Sequence, residues 1–348
     1  MHSDDLLILK GNEIASLLAN QELQIIRTVQ AAYEAHAREA SSLPHSTFLR
    51  FPGDQKRRII ALPAYLGEDF NVAGIKWVSS FPDNHDLGLE RASAVMILNS
   101  MLTGRPQAIL EGSIISARRT AALAALAARH LHEAKEETRL GIIGSGMISF
   151  EVARFVLAAL PDIKSLIVFD TDAGRAKQFK KKCCLSFDNV DVEIAEDMAA
   201  IFGSTSLISI ATTAVKPHIF SLSACAHGST ILHISLRDIS PEAVLSCDNI
   251  VDDLDHVCRA ETSVHLAEQM VGDRSFIRCT LADILMKTSP ARRDTESVAV
   301  FSPFGLGILD VAVSSLVCQL ARKRQMGQVI KSFLPDSWLQ RSDGRKPF

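Results

Sequence analysis

The stretch Leu140-Gly141-Ile142-Ile143-Gly144-Ser145-Gly146-Met147-Ile148-Ser149 constrains this chain more than any other. A short apolar run reads as a buried strand, and the glycines that follow turn the chain into a helix, expected over Phe150 to Leu160. Within Gly144-x-Gly146-x-x-Ser149, the first glycine permits a tight turn. The second lets a pyrophosphate approach bare backbone in line with the helix N-terminus. Taken alone, the pattern also suits a purely structural strand-to-helix turn, and its third position is serine where a glycine is usual. A second apolar run, Ser165-Leu166-Ile167-Val168-Phe169, ends at Asp170. That acid lies a little beyond the spacing of about 20 residues at which a carboxylate accepts from a ribose 2′-hydroxyl. Because it would repel a 2′-phosphate, it favours NAD over NADP.

Around this centre the pattern divides. Before it, Leu6 to Leu9 suggest a strand and Gly11 to Ala40 a helical stretch, with Leu17, Leu18, Leu23, Ile26, Val29 and Tyr33 able to share one face. Extended segments follow at Ser46 to Pro52, Ile59 to Tyr65, Val72 to Val78, Ala94 to Leu98 and Gln107 to Glu111. Strands joined without helices indicate an antiparallel or mixed sheet. From Ser113 an alanine-rich helix runs to about His132, and a polar link, Glu133 to Thr138, leads into alternating strands and helices. Strands are expected at Arg139–Ile143, Ser165–Phe169, Leu207–Ala211, Thr230–Ile234 and Asn249–Val251, with one more strand and a turn within Ser297 to Gly307. That alternation defines a doubly wound parallel sheet. A last helix, from about Leu309 to Arg324, is expected to pack back on the first region, and the charged tail after Gln340 to fray.

Three cations and one acid stand out. Lys76 interrupts the apolar strand Gly74-Ile75-Lys76-Trp77. It either faces outward at a sheet edge or, facing inward, needs an anion such as a substrate carboxylate. The same holds for Arg50, while Arg119 reads as a cation near a helix start, where the dipole disfavours it unless an anion binds. Asp238 follows the strand Thr230 to Ile234, at the sheet's carboxyl edge where ligands gather. There it either caps the helix beginning Pro241-Glu242 or activates water and accepts a proton. Thr212 and Thr213 end another strand and can line a dinucleotide.

Composition excludes more than it assigns. Over 348 residues the net charge is −3, which gives no general attraction to nucleic acid or an anionic membrane. No stretch approaches the roughly 18 apolar residues of a membrane span, and Met1-His2-Ser3-Asp4-Asp5 lacks the basic and apolar regions of a secretory signal. The expectation is a cytoplasmic protein whose seven cysteines, without CxxC spacing, stay reduced. The histidines show no ligand spacing, so no metal is expected.

The Lys76 strand, Ser116-Ala117-Arg118-Arg119-Thr120-Ala121-Ala122, Gly141-Ile142-Ile143-Gly144-Ser145-Gly146 and Phe304-Gly305-Leu306-Gly307-Ile308-Leu309-Asp310 together resemble the ornithine cyclodeaminase/μ-crystallin family over nearly the full length. Gly74 to Val78, Asn84, Glu90 to Asn99 and Asn249 to Asp253 are similar to the branch that makes 2,3-diaminopropionate. The resemblance implies an α/β fold: a Rossmann-type doubly wound parallel sheet (residues 116–309) plus an α+β substrate and dimerisation domain built from both chain ends (1–115 and 310–348). It implies that Arg50, Lys76 and Arg119 hold substrate carboxylates, that Asp238 and Lys76 serve catalysis, and that the protein is a homodimer. NAD would lie on Thr120, Gly144, Ser145, Gly146, Met147, Ile148, Asp170, Thr212 and Thr213. The implied reaction is NAD-dependent oxidative cleavage of N-(2-amino-2-carboxyethyl)-L-glutamate, a small acidic amino-acid conjugate. Its products are 2-oxoglutarate and L-2,3-diaminopropionate, a siderophore or antibiotic precursor. Where cyclodeaminases usually carry a glycine-rich segment with proline and lysine, this chain has Ile239-Ser240-Pro241-Glu242, which speaks against ornithine cyclisation. An ornithine cyclodeaminase, an alanine-type dehydrogenase and a non-enzymatic crystallin-like nucleotide binder remain as alternatives.

Overall fold

The computed structural model describes residues 5–133 and 138–335. The centre of the polar link and the charged tail lie outside them. Two eight-stranded sheets organise the chain. The first is built from β1 (Leu6–Leu9), β2 (Ser41–Ser42), β3 (Thr47–Phe51), β4 (Asp54–Leu66), β5 (Val72–Ser80), β6 (Ala92–Ser100) and β7 (Pro106–Glu111), completed by a strand from the far end of the chain. The second holds β8 (Arg139–Ile143), β9 (Ser165–Phe169), β10 (Asp191–Ile194), β11 (Leu207–Ile210), β12 (Thr230–His233), β13 (Asp248–Val251), β14 (Ile277–Thr280) and β15 (Ala299–Ser302). β16 (Gln328–Ile330) returns to pair antiparallel with β1, so both chain ends share the first sheet.

The first sheet runs β16-β1-β7-β6-β5-β4-β2, with β3 also on β4. It is mixed, because β1 pairs parallel with β7 while the hairpin-connected strands are antiparallel. Period-two alternation sends Val72, Lys76, Met96 and Leu98 to the inner face. There the helices Glu22–Ala37 and Gly307–Arg324 cover them with residues such as Ile25, Val29, Tyr33 and Val313. The helical stretch near the N-terminus is two helices, Gly11–Leu17 and Glu22–Ala37, separated by a turn in which Asn20 takes a φ of 57°. Ile25, Ile26, Val29, Ala32 and Tyr33 set the buried face of the second helix, and Leu23 falls off that face and is 46% exposed.

The second sheet is wholly parallel, in the order β10-β9-β8-β11-β12-β15-β13-β14. Its central strands are buried on both faces: Leu140 and Ile142 pack in one core with the helices Ser113–Leu131 and Met147–Ala159, and Ile143 and Ile208 in another with Ile201 and Val244. The strand order reverses between β8 and its two neighbours, β9 and β11, so the crevice that a doubly wound sheet offers to ligands opens at their carboxyl ends. The junctions expected near residues 116 and 310 fall within two continuous helices, Ser113–Leu131 and Gly307–Arg324.

Candidate active site

At the carboxyl end of β8, Gly144 adopts a φ of +93°, and a Cβ there would lie 2.4 Å from the Ala211 carbonyl oxygen. Both conformation and contact require glycine. Gly146 is different: its φ is −84°, and a Cβ would meet nothing within 4 Å. Packing does not demand glycine there, and the open side faces the crevice. Gly146 is also the N-cap of Met147–Ala159, one residue before the helix begins and earlier than the expected start at Phe150. No side chain caps that end and no acid sits in the first turn, so its N–H groups point toward a site that suits a phosphate. Met147 and Ile148 form the first turn, and Ser149 is buried, its Oγ without a hydrogen-bond partner.

Asp170, at the end of β9, faces the same cleft of about 510 Å³. Its Oδ2 accepts from the Ser145 N–H (2.8 Å) and Oγ (2.6 Å), and its Oδ1 from the Asp172 N–H (2.9 Å). Burial would raise this carboxyl, but the hydrogen bonds outweigh it and hold it below the ordinary value. Thr212 and Thr213 form part of the opposite wall. Thr120 does not border the cleft; its hydroxyl donates to the Ser116 carbonyl one helical turn back, at 2.8 Å.

Asp238 is fully buried, and both carboxylate oxygens are engaged. Thr212 Oγ1 donates to Oδ1, which also lies 3.1 Å from His218 Nε2. Ser235 Oγ donates to Oδ2, which lies 3.2 Å from His233 Nε2. Burial, the largest influence, would raise this carboxyl, yet His233, Ser235 and Thr212 together hold it far below the usual range. The expectation has this carboxylate capping a helix or activating water; here both of its oxygens are turned to neighbouring side chains. Two members of the cluster reach the cleft, Thr212 and His218, and the His218 side chain is 37% exposed.

Lys76 points inward, and its partner is protein. Its Nζ lies 2.7 Å from Asp310 Oδ2 and 3.2 Å from Ser116 Oγ, while Arg119 Nε donates to Asp310 Oδ1 at 3.0 Å. Lys76, Arg119 and Asp310 are all buried. Arg119 and Lys76 overcome the burial that would otherwise raise Asp310 and keep it ionised. Burial, with repulsion from Arg119, pushes Lys76 down to about 8 against the pull of Asp310. Arg119 lies in the second turn of its helix, beyond the first turn where the dipole acts, and Glu111 accepts from the first N–H groups at Ser113 and Ile114. Gly305 (φ +91°) makes room for the guanidinium, because a Cβ there would approach Arg119 Nη1 to 2.6 Å. The same turn donates from Phe304 and Gly305 N–H to the buried Asp252, whose carboxyl burial pushes up to about 6.

Arg50 does not join Lys76 and Arg119. It lines a second cavity, of about 610 Å³, together with Arg58, Arg91 and Arg237. Thr212, Thr213 and Ala214 border this chamber and the dinucleotide-sized cleft alike. Asp310, His218, Arg58, Arg91 and Arg237 are the residues that sequence reasoning passed over. Asp310 stood within a recognised motif, but only the fold shows what it pairs with.

The model of the ornithine cyclodeaminase/mu-crystallin family matches residues 8–325. An N-((2S)-2-amino-2-carboxyethyl)-L-glutamate dehydrogenase of Staphylococcus aureus is 26% identical over 337 residues, covering 94% of this chain and 99% of that protein. The Thermococcus litoralis Delta(1)-pyrroline-2-carboxylate reductase, solved with NADH and L-proline, superimposes with a TM-score of 0.86 at 24% identity, covering 92% of this chain and 99% of the other. An archaeal alanine dehydrogenase dimer with bound NAD gives a TM-score of 0.84 at 25% identity, covering 94% and 99%. The chain belongs to the ornithine cyclodeaminase/mu-crystallin family.

Proposed function

We infer that the chain is an NAD-dependent oxidoreductase acting on the CH–NH group of an amino acid. We propose further that it cleaves N-(2-amino-2-carboxyethyl)-L-glutamate, with one water, to 2-oxoglutarate and L-2,3-diaminopropionate. The observation that carries this reading is the shared wall Thr212-Thr213-Ala214, which sets a cation-lined chamber against a dinucleotide-sized cleft. An acidic substrate in that chamber brings a carbon–hydrogen bond to the cofactor's reactive end. The Staphylococcus aureus relative, named for this conjugate, supports the choice.

Gly144, Ser145, Gly146 and Asp170 would hold NAD⁺, which would supply the acceptor for the hydride of the glutamate Cα. Gly146 leaves the pyrophosphate its space, and the N–H groups at Met147 and Ile148 face its charge. Lys76 and Arg119 share a single carboxylate, Asp310, so the trio keeps one positive charge for a substrate carboxylate. Arg50 holds another from the chamber side. Loss of hydride from the secondary amine leaves a protonated imine on the substrate; water adds to its carbon, and the carbinolamine expels the amino group of diaminopropionate as its hydroxyl proton passes to solvent. His218 takes the proton from that water at Nδ1, the nitrogen Asp238 does not engage, and returns it to the leaving amine. Asp238 is then a positioning residue that fixes the imidazole and balances its charge.

Residues 1–115 and 310–348 are taken as the substrate and dimerisation unit, and 116–309 as the nucleotide unit. The outer face of the first sheet, with Trp77 43% and Val95 41% exposed, is the surface on which two copies would pair. The test is to incubate the protein with NAD⁺ and the conjugate. NADH and 2-oxoglutarate are expected in equal amounts, whereas conversion of ornithine to proline without net NADH would overturn the reading.

A further inference from the structure

Arg50 and Arg58 stand directly opposite each other on the antiparallel strands β3 and β4. Like charges in that relation repel and destabilise a sheet. Arg91 and Arg237 approach the same chamber, from just before β6 and from the loop after β12, so four guanidinium groups line one cavity. Glu261 is the carboxylate in its wall, and none of the four arginines forms an ion pair among the described residues. What they do contact is neutral. Arg50 lies 5.6 Å from the centre of the Phe48 ring, Arg91 Nε donates to Ser80 Oγ at 3.4 Å, and Arg237 donates to the Ala260 carbonyl at 2.7 Å. Arg58 Nε is buried with no hydrogen-bond partner among the described residues. Burial, then Arg237, Arg91 and Arg50, depress the Arg58 guanidinium. Like charges gathered in this way repel one another, and a bound anion relieves that repulsion.

We propose that Arg50, Arg58, Arg91 and Arg237 form a second carboxylate subsite, separate from Lys76 and Arg119, that takes the distal carboxylate of a dicarboxylic or tricarboxylic amino acid. This rests on the reading of the reaction given above and names the part of the site that selects its substrate. Arginine suits the task because its planar fork binds a carboxylate through two hydrogen bonds. An amino acid with a single carboxylate leaves these guanidinium groups without an anion, so the chamber favours a substrate that carries a second one.

The probes are 2-oxoglutarate and pyruvate, which share an α-keto acid and differ in the distal carboxylate, titrated into NADH-loaded protein. The wild type is expected to bind 2-oxoglutarate more tightly than pyruvate. Arg58→Gln and Arg91→Gln should each weaken 2-oxoglutarate about tenfold or more, a charge-assisted hydrogen bond lost, with pyruvate and NADH affinities unchanged. Equal 2-oxoglutarate affinity in wild type and variants, or an equal loss for pyruvate, would overturn the subsite. The two proposals fail separately. Oxidation of L-alanine but not the conjugate, with 2-oxoglutarate binding still dependent on the arginines, removes the assigned reaction and leaves the subsite. Turnover of the conjugate at unchanged KM in both variants removes the subsite and leaves the reaction.

Discussion

Two groups of cations serve this molecule in opposite ways. Lys76 and Arg119 are sealed under the helix Gly307–Arg324 and bound to one carboxylate, Asp310, which is itself fully buried. Arg50, Arg58, Arg91 and Arg237 border an open chamber and, among the described residues, have no carboxylate bonded to them. Removing charge from the first group leaves an uncompensated ion in a low dielectric. Removing charge from the second relieves repulsion. The difference separates cations that the fold pairs internally, with one positive charge left over, from cations that have no carboxylate of their own.

The strongest way to break this comparison is at Asp310. Asp310→Asn strands both Lys76 and Arg119, and a loss of about 3–5 kcal/mol is expected in urea unfolding, whereas Arg58→Gln should be neutral or slightly stabilising. Equal losses would erase the distinction. Next in size is the proposed relay through His218, which Asp238 positions. His218→Gln should lower kcat by roughly 10²-fold or more while NAD affinity holds, and a variant with full kcat would return the proton to some other group.

The comparison sharpens with pH, because only the sealed group titrates in an accessible range. Lys76 sits at about 8 in the folded protein against an ordinary 10.5. Between those values the unfolded chain binds more protons, so this residue's contribution to stability rises with pH through the window. Function moves the other way. Above pH of about 8 the ammonium is lost and KM for an anionic substrate should climb, a rise that a Lys76→Arg variant, charged throughout, should lack. The smallest effect belongs to the glycine turn. Ser149 is buried with an unpaired hydroxyl, so Ser149→Gly should leave NAD affinity within about twofold, and Ser149→Leu should weaken it by overpacking. Equal affinity in both would misplace the turn.

How far the sequence was legible follows the range of the interactions. Gly144 and Asp170 were readable because a local rule, turn geometry or strand-end position, governs each, and the continuous apolar strands β8, β9, β11 and β12 declared a sheet buried on both faces. The strands β10 and β14 escaped because they are the two edges of that sheet, where Asp191-Val192-Glu193-Ile194 and Ile277-Arg278-Cys279-Thr280 mix polar with apolar residues. Asp310 could not be matched to Lys76 across 234 residues of chain without the fold. Arg58 and Arg91 look like the solvent-facing cations of any strand or loop until β4 and the segment just before β6 bring them to one chamber. His218 carried no spacing to mark it, since its partner Asp238 lies on the next strand's loop.

The most direct test of the account compares kcat/KM for the glutamate–diaminopropionate conjugate with that for L-alanine, using one preparation of the protein and NAD⁺. A reserve of four arginines beside the cofactor should favour the conjugate by at least about a hundredfold, two charge-assisted contacts. L-alanine turned over as well as the conjugate, or better, would contradict it.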